Sequence, residues 1–227
     1  ARMGGQVQVA QCVGRGDKEK AHGYAQAAVQ LATVMGLVYA LVVLIFTKQM
    51  IGFFKLEDPE AYAAAFVYTK IACGLIVFSF LSVTLTGIYT AQGDSKTPFY
   101  ANLIGLATNM ILDPLFIFGF GWNTEGAAIA TWVSQATVLG LFIYRLKKRK
   151  EVLGGFAFFT KLESRFVKRI FKLGLPVAIL NTLFSIINLF MARTASLYGG
   201  HIGLMTLTTG GQLEAIAWNT SQGFSTA

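Results

Sequence analysis

The feature that most constrains this chain is a series of long segments nearly free of Asp, Glu, Lys and Arg. Six segments of this kind, which together hold only one such residue, an aspartate, cover residues 23–47, 71–93, 97–124, 126–144, 173–192 and 194–213. A helix needs about 20 mostly apolar residues to cross a bilayer. The series therefore predicts six membrane-spanning helices, and the segment MGGQVQVAQCVG near the start predicts part of a seventh.

The overall composition indicates the same class of protein. Hydrophobic residues make up 54% of the 227 residues and charged residues 13%, with a mean hydropathy of +0.56, whereas soluble domains carry about 25% charged residues. We therefore predict an all-α polytopic membrane protein. The formal net charge of +8 is accompanied by no nucleic-acid recognition motif, so we expect no nucleic-acid partner.

The distribution of basic residues predicts the orientation of the helices. Fourteen Lys and Arg residues lie in loops 15–22, 93–98 and 145–172, and two lie in loops 48–60, 119–125 and 195–203. Cytoplasmic loops carry the excess of Lys and Arg in membrane proteins. The basic loops follow every second span, so we expect all three to face the cytoplasm. Within the longest of them, we expect residues 151–165 to lie on the membrane surface.

The segment LATNMILDPLFIFGF, residues 106–120, places polar groups inside a predicted span. Asn109 and Asp113 are four residues apart and share one helix face. Pro114 has no amide to donate, and its ring disturbs the carbonyl of Met110. Because a charged side chain inside a span costs ~2.5–3.5 kcal/mol, we predict a function: Asp113 and Asn109 supply oxygen ligands for H⁺ or Na⁺.

The structural alternative is that Asp113 caps a broken helix, or pairs with Lys70 or Arg193 of a neighbouring span. We also predict a secondary set of polar residues that line a watery cavity: Tyr68, Gln135, Glu214 and Asn219. Glu214 and Asn219 belong to the stretch GGQLEAIAWNTSQG, for which a structural hydrogen-bond network is an equal alternative. Thr131, which shares a helix face with Gln135, is a candidate partner of Asp113.

The motifs of several enzyme classes are missing from the sequence. It contains no GxxxxGK[ST] loop for nucleotides, no HExxH, no GxSxG and no Cys/His cluster. The two cysteines, Cys12 and Cys73, form no metal-binding or redox spacing. We expect a protein that is not an enzyme and needs no cofactor other than a coupling ion.

Four segments, taken in order, resemble the MATE family of multidrug and toxic-compound extrusion transporters. They are VAQCVGRGDKEKA, TAQGDSKTPFYANLIGLATNMILDPLFIFG, GAAIATWVSQ and FKLGLP. The resemblance implies a fold of twelve helices in two six-helix lobes, and export of organic cations or other amphiphiles in exchange for Na⁺ or H⁺. It also implies a cation site made of an Asp in helix one, an Asn and an Asp in helix five, and a Thr in helix six.

Three of these positions match Asn109, Asp113 and Thr131 of this sequence. We expect the chain to be a fragment from late helix two to helix eight, so that the helix-one Asp lies outside it. Another branch of the family has a Glu in helix seven, and the matching segment LPVAILNTLFSIIN has none. This difference argues against a second site of that type.

The resemblance also implies the division of the chain. We expect residues 1–150 to belong to the N-terminal lobe, 151–172 to link the lobes on the cytoplasmic side, and 173–227 to begin the C-terminal lobe. The implied protein is a monomeric, multi-pass antiporter of a prokaryotic inner membrane, with membrane lipids and small amphiphilic substrates as its partners. The alternative function is a flippase for lipid-linked oligosaccharides from the same superfamily.

Overall fold

The computed structural model describes residues 2–54, 59–148 and 163–226, and these residues form helices connected by short turns. The helices are α1 (Arg2–Gly14), α2 (Lys18–Phe53), α3 (Pro59–Ala91), α4 (Lys96–Pro114), a π-helical turn (Leu115–Gly119), α5 (Asn123–Lys148) and α6 (Ser164–Thr226). The described part of the chain contains no β-strand. The expected all-α class is confirmed. Most of the predicted surface segment 151–165 lies outside the described residues.

Among the described residues, four helices are long and apolar enough to cross a membrane: α2, α4 with its π-helical turn, α5 and α6. Helix α3 would be a fifth span, bent by 51° between its halves. It begins at Pro59, well before residue 71, where the predicted apolar segment starts. The segment PEAYAAA explains the difference, since proline is favoured at the first helical position and alanine inside a helix.

Helix α6 contains the last two predicted spans. Its 63 residues would extend roughly 95 Å as one straight helix, about three times the thickness of the hydrocarbon core. Gly200, with φ 56° and ψ −148°, interrupts the helical angles. A Cβ on Gly203 would lie 2.5 Å from the carbonyl oxygen of Ala195. In an uninterrupted helix, the Cα atoms of these two residues would be roughly 12 Å apart. The chain therefore turns back on itself at Gly200, inside predicted loop 195–203.

The chain divides into two compact units, of which the first comprises residues 1–45 and 67–180. Its core depends on small residues that let helices approach closely. Four alanines of α2 have no exposed surface and form one helix face: Ala21, Ala25, Ala28 and Ala32. A Cβ on Gly5 would lie 2.7 Å from the Cβ of Ala28. Such seams of small residues are typical of helices packed within a membrane, where van der Waals contact drives association.

Helix ends next to the three basic loops pack into one cluster of this unit. The rings of Tyr24 and Phe166 meet edge to face at 4.6 Å, and the rings of Tyr89 and Phe142 stack at 5.5 Å. Tyr24, Tyr89 and Phe142 are all buried in the same hydrophobic core. This arrangement agrees with the prediction that the basic loops share one side of the membrane. Their cytoplasmic location stays a prediction.

The second unit comprises residues 46–66 and 181–227. The hydroxyl of Ser196 donates a hydrogen bond to the carbonyl of Phe54 at 2.8 Å. The guanidinium of Arg193 lies 4.5 Å from the centre of the Phe53 ring. These contacts connect the end of α2 to the α6 segment that precedes Gly200. Arg193 thus has a structural role that the sequence did not reveal.

The turn between α1 and α2 has a defined capping geometry. Gly16 has φ 74°, and the amide of Asp17 donates to the carbonyl of Cys12 at 3.0 Å, as in a Schellman motif. The Asp17 carboxylate then accepts a hydrogen bond from the amide of Lys20 at 3.2 Å. One Gly-Asp pair therefore ends α1 and begins α2.

The turn between α3 and α4 repeats this arrangement. Gly93 has φ 81°, and the amide of Asp94 donates to the carbonyl of Tyr89 at 3.0 Å. Asp94 accepts from both the amide and the hydroxyl of Thr97, at 3.0 and 2.7 Å. Asp94 therefore supplies the capping side chain, whereas Ser95 makes no side-chain capping bond. The cap places the start of α4, and hence the register of the predicted site.

Candidate functional site

The candidate site lies where α4 changes its helical form. Asp113 is the second-last residue of α4, and Pro114 is the last. The next five residues form a π-helical turn, Leu115–Gly119, closed by a 3.0 Å hydrogen bond from the amide of Phe120 to the carbonyl of Leu115. The disturbance of the helix that is predicted at Pro114 thus takes the form of a wider, π-helical turn, which begins two residues after Asp113. Turns of this kind occur frequently at functional sites.

Asn109 and Asp113 are brought together as the sequence predicts. The side-chain amide of Asn109 donates to Oδ1 of Asp113 at 3.3 Å, which is slightly longer than most N–H···O hydrogen bonds. Both residues are half-buried. Within the described residues, no Lys or Arg forms an ion pair with Asp113. Among the described residues, the carboxylate therefore has one weak neutral donor, Asn109, and no compensating cation.

Thr131 lies on α5, which runs antiparallel to α4. It is half-buried, and its hydroxyl donates to the Ala127 carbonyl of its own helix at 2.9 Å. Contacts between α4 and α5 pair Gly105 with Ser134 and Phe116 with Gly126. Thr131 falls between these two contacts on α5, as Asn109 and Asp113 do on α4. The structure thus places Thr131 on the facing helix at the level of the pair, with its hydroxyl engaged elsewhere.

Residues that hold α4 against α5 were missed by sequence reasoning. The Ser134 hydroxyl donates to the Gly105 carbonyl at 2.9 Å in a buried position. A Cβ on Gly126 would lie 2.9 Å from the carbonyl carbon of Phe116, inside the π-helical turn. Small residues at helix contacts were the available signal. With 24 glycines in the chain, the signal does not show which of them face a neighbour.

The remaining candidates have different surroundings. Tyr68, on α3, is 39% exposed, and Gln135 of α5 is half-buried. Glu214 and Asn219 lie in α6 after Gly200 and are exposed. Nothing in these surroundings assigns the four residues to a cavity, so their roles stay predictions.

The donor set favours a proton or a monovalent cation over a transition metal. The described residues contain no group of three or more His, Cys, Asp and Glu side chains that could hold a metal ion. Structural zinc sites use four nitrogen or sulfur ligands. Asp113 and Asn109 instead offer one carboxylate and one amide, both oxygen ligands. Chemically, this pair can hold a proton or contribute part of an oxygen shell for Na⁺.

Comparison with known proteins places the chain in a family. The model of the MatE family matches residues 1–115, slightly more than half of the chain. The chain belongs to this family. The match includes Asn109 and Asp113, and it ends one residue after Pro114. The MATE resemblance seen in the sequence is confirmed, and with it the multi-pass membrane architecture.

A similar curated relative of this MATE chain is the multidrug export protein MepA of Staphylococcus haemolyticus. The two are 27% identical over 199 residues, which cover 88% of this chain and 44% of MepA. MepA of Staphylococcus aureus strain NCTC 8325 is 26% identical and is matched over 43% of its length. The chain thus spans less than half the length of these relatives.

Solved structures of MATE transporters share the fold. An inward-facing multidrug resistance MATE transporter of the MOP superfamily matches with a TM-score of 0.86 at 23% identity, over 95% of this chain and 49% of the other. An outward-facing structure of a transporter of the same description matches with a TM-score of 0.80 at 24% identity. It covers 95% of this chain and 48% of that one. At these identities the likeness establishes the fold.

Proposed function

We propose that this chain is part of a secondary active multidrug antiporter, which exports amphiphilic or cationic compounds in exchange for H⁺ or Na⁺. The membership of the MATE family and the similarity to the MepA export proteins support the multidrug function. The observation that supports the coupling is the half-buried Asp113, which accepts a hydrogen bond from Asn109 and is followed by a π-helical turn. No nucleic acid or organic cofactor is part of this function.

The chemistry of the pair provides two states. In the present geometry the Asn109 amide nitrogen donates to Oδ1 of Asp113. When Asp113 binds a proton it becomes a donor, and when it binds Na⁺ it needs further oxygen ligands. In the first case Asn109 turns its amide oxygen toward the acidic proton, and in the second case toward the Na⁺. The weak 3.3 Å hydrogen bond is therefore replaced by a stronger interaction when the ion is bound.

The π-helical turn connects this exchange to the shape of the helix. Pro114 supplies no amide, so the backbone next to Asp113 is less strongly bonded than a regular helix. An ion at Asp113 biases the transporter only if it binds one of its two conformations more tightly. The helix form after Pro114 differs between these conformations, and ion binding selects one of them. Thr131 then releases Ala127 and becomes a ligand from the facing helix.

The protein acts in the inner membrane of a prokaryote as a monomer, in contact with lipids and with small amphiphilic substrates. A matched pair of variants tests the coupling in proteoliposomes that contain the complete transporter. Asp113→Asn removes the charge, and Thr108→Ala removes a neighbouring hydroxyl that is exposed and bonded to its own helix. We expect Asp113→Asn to abolish uptake of a fluorescent organic cation driven by a Na⁺ or pH gradient, and Thr108→Ala to retain it.

Gradient-driven transport by Asp113→Asn at the wild-type rate would refute the assignment of the coupling site. Failure of wild-type vesicles to move any organic cation, together with movement of a lipid-linked oligosaccharide, would replace the multidrug function by the flippase alternative. Binding of the variant to substrate, measured by fluorescence quenching, separates loss of coupling from loss of substrate recognition.

A further inference from the structure

Two close contacts between α4 and α5 lie on either side of the Asn109–Asp113 pair. Before the pair, the buried hydroxyl of Ser134 donates to the carbonyl of Gly105 at 2.9 Å. After the pair, Gly126 lies against the backbone of Phe116. The α4 segment that carries the pair is therefore held to α5 at both of its ends.

The contact at Gly126 leaves no room for a side chain. A Cβ at this position would lie 2.9 Å from the carbonyl carbon of Phe116, 3.0 Å from its carbonyl oxygen and 3.0 Å from its Cβ. Two of these three atoms are backbone atoms, which cannot rotate away as the end of a flexible side chain can. Any residue larger than glycine must therefore move the π-helical turn or α5 itself.

The backbone of Phe116 also determines the shape of the turn. Its carbonyl accepts a hydrogen bond from the amide of Trp122 at 3.0 Å, which closes the connection to α5. Phe116 follows Asp113 by three residues, with Pro114 between them. A displacement of Phe116 is therefore transmitted over less than one helical turn to the carboxylate of Asp113.

We infer that Gly126 and Ser134 are positioning residues for the cation site, because α5 uses them to hold both ends of the ion-binding segment of α4. Neither residue contacts the ion. This inference rests on the proposed function and adds to it the elements that set the ion affinity. Residues that orient the ligands of a bound ion typically change its affinity 10- to 100-fold when they are replaced.

Gly126→Ala and Gly140→Ala form a matched pair on the same helix, since a Cβ on Gly140 would meet nothing within 4 Å. The measurement is transport of an organic cation by the complete transporter in proteoliposomes, as a function of the Na⁺ or H⁺ concentration. We expect Gly126→Ala to raise the half-saturating ion concentration roughly tenfold or more, while the maximal rate changes much less. Gly140→Ala should keep both values at the wild-type level.

Ser134→Ala supplies a milder variant in case Gly126→Ala does not fold. It removes one hydrogen bond without adding an atom, so we expect the half-saturating concentration to rise up to about fivefold. A second readout is the increase in melting temperature on addition of NaCl or on acidification, at constant ionic strength. This increase should be reduced in both variants and absent in Asp113→Asn.

The outcomes separate the two proposals. If Asp113→Asn loses ion dependence while Gly126→Ala and Ser134→Ala keep the wild-type half-saturating concentration, the positioning role is wrong and the coupling site stands. If Gly126→Ala and Gly140→Ala are impaired equally, or only the maximal rate falls, the positioning role is again overturned. Unaltered ion dependence in Asp113→Asn would overturn the coupling site itself, and the positioning role with it.

Discussion

The packing of α4 on α5 makes a quantitative prediction at Gly105. A Cβ on Gly105 would overlap Cγ2 of Val138. Val138 is only 3% exposed, and a valine in a helix has one strongly preferred χ1 rotamer, so its methyl group cannot turn aside. We therefore expect Gly105→Ala to push the two helices apart rather than to be absorbed locally.

The magnitude follows from three contributions. Overpacking of this kind costs ~1–3 kcal/mol. Separation of the helices also weakens the hydrogen bond from Ser134 to the Gly105 carbonyl, which contributes about 1 kcal/mol. The better helix propensity of alanine offsets about 1 kcal/mol. The net expectation is a loss of roughly 2 kcal/mol in the free energy of unfolding.

Equilibrium unfolding in mixed detergent micelles measures this loss. The two free cysteines, Cys12 and Cys73, are buried, so their reaction with a fluorescent maleimide reports unfolding. A second substitution, Val138→Ala, removes the methyl group that the new Cβ would meet. In the Val138→Ala background, Gly105→Ala should lower the free energy of unfolding by less than about 0.5 kcal/mol. The difference from the loss in the wild-type background is a coupling energy of about 1 to 2 kcal/mol, which is within the range seen for residues in contact.

Two results would refute the packing argument. Gly105→Ala could be as stable as Gly140→Ala, whose Cβ meets open space. Alternatively, its cost could be the same with and without Val138→Ala. In the first case the helices do not approach at Gly105, and in the second case Val138 is not what limits the approach.

Three further predictions concern the turns. Asp94→Ala should lower the free energy of unfolding by roughly 1–2 kcal/mol, because Thr97 loses two hydrogen bonds. Asp94→Asn should retain most of this stability in the same unfolding assay. Equal losses of stability in the two variants would exclude a capping role for Asp94. Gly200→Ala should lower the free energy of unfolding by about 1–3 kcal/mol, since φ 56° and ψ −148° suit glycine alone. The neighbouring Gly199→Ala, whose Cβ also meets open space, should leave the stability unchanged. Unchanged stability in Gly200→Ala would argue against the reversal of α6 at this residue. The hydrogen bond from the Lys20 side chain lowers the pKa of Asp17 and raises the pKa of Lys20. The stabilisation from Asp17 is therefore present at neutral pH and is lost as the pH falls through its lowered pKa, while that from Lys20 is lost as the pH rises through its raised pKa. Both groups lie at the surface, Lys20 exposed and Asp17 half-buried, so the effect is small and falls with salt. Asp17→Asn should reduce the fall in melting temperature at acidic pH. If the melting temperature of Asp17→Asn has the same pH dependence as the wild type, the Asp17–Lys20 pair does not contribute to stability.

Much of this architecture can be predicted from local sequence, for reasons that do not depend on the fold. A segment without charges must be buried in lipid or protein, so the apolar segments predict a membrane protein directly. Helical periodicity places residues four apart on one face, and Asn109 and Asp113 are hydrogen-bonded for that reason. The positive charge of three loops predicts that the helix ends next to them lie on one side of the membrane, and the aromatic contacts between those helix ends agree with this.

Helix boundaries were less predictable, because hydropathy measures lipid compatibility and not helicity. Helix α3 extends back to Pro59 through an alanine-rich segment that is not strongly apolar. The reversal in α6 lies at Gly200, although the charge at Arg193 marks the end of the apolar run. Arg193 is accommodated inside the helix because its guanidinium lies over the Phe53 ring, a partner that is distant in the sequence.

The sequence by itself determined the membrane class, the family and the pairing of Asn109 with Asp113, since composition, motif order and helical spacing are local properties. Only the tertiary structure decided where α4 and α5 touch. The contacts of Gly105 and Gly126 depend on the distance between two backbones. A glycine in the sequence allows a close approach of helices, but it does not show which helix approaches. The π-helical turn after Pro114 likewise forms against a neighbouring helix. Local helical spacing thus brings Asn109 and Asp113 together, and packing between helices holds the segment that carries them in place.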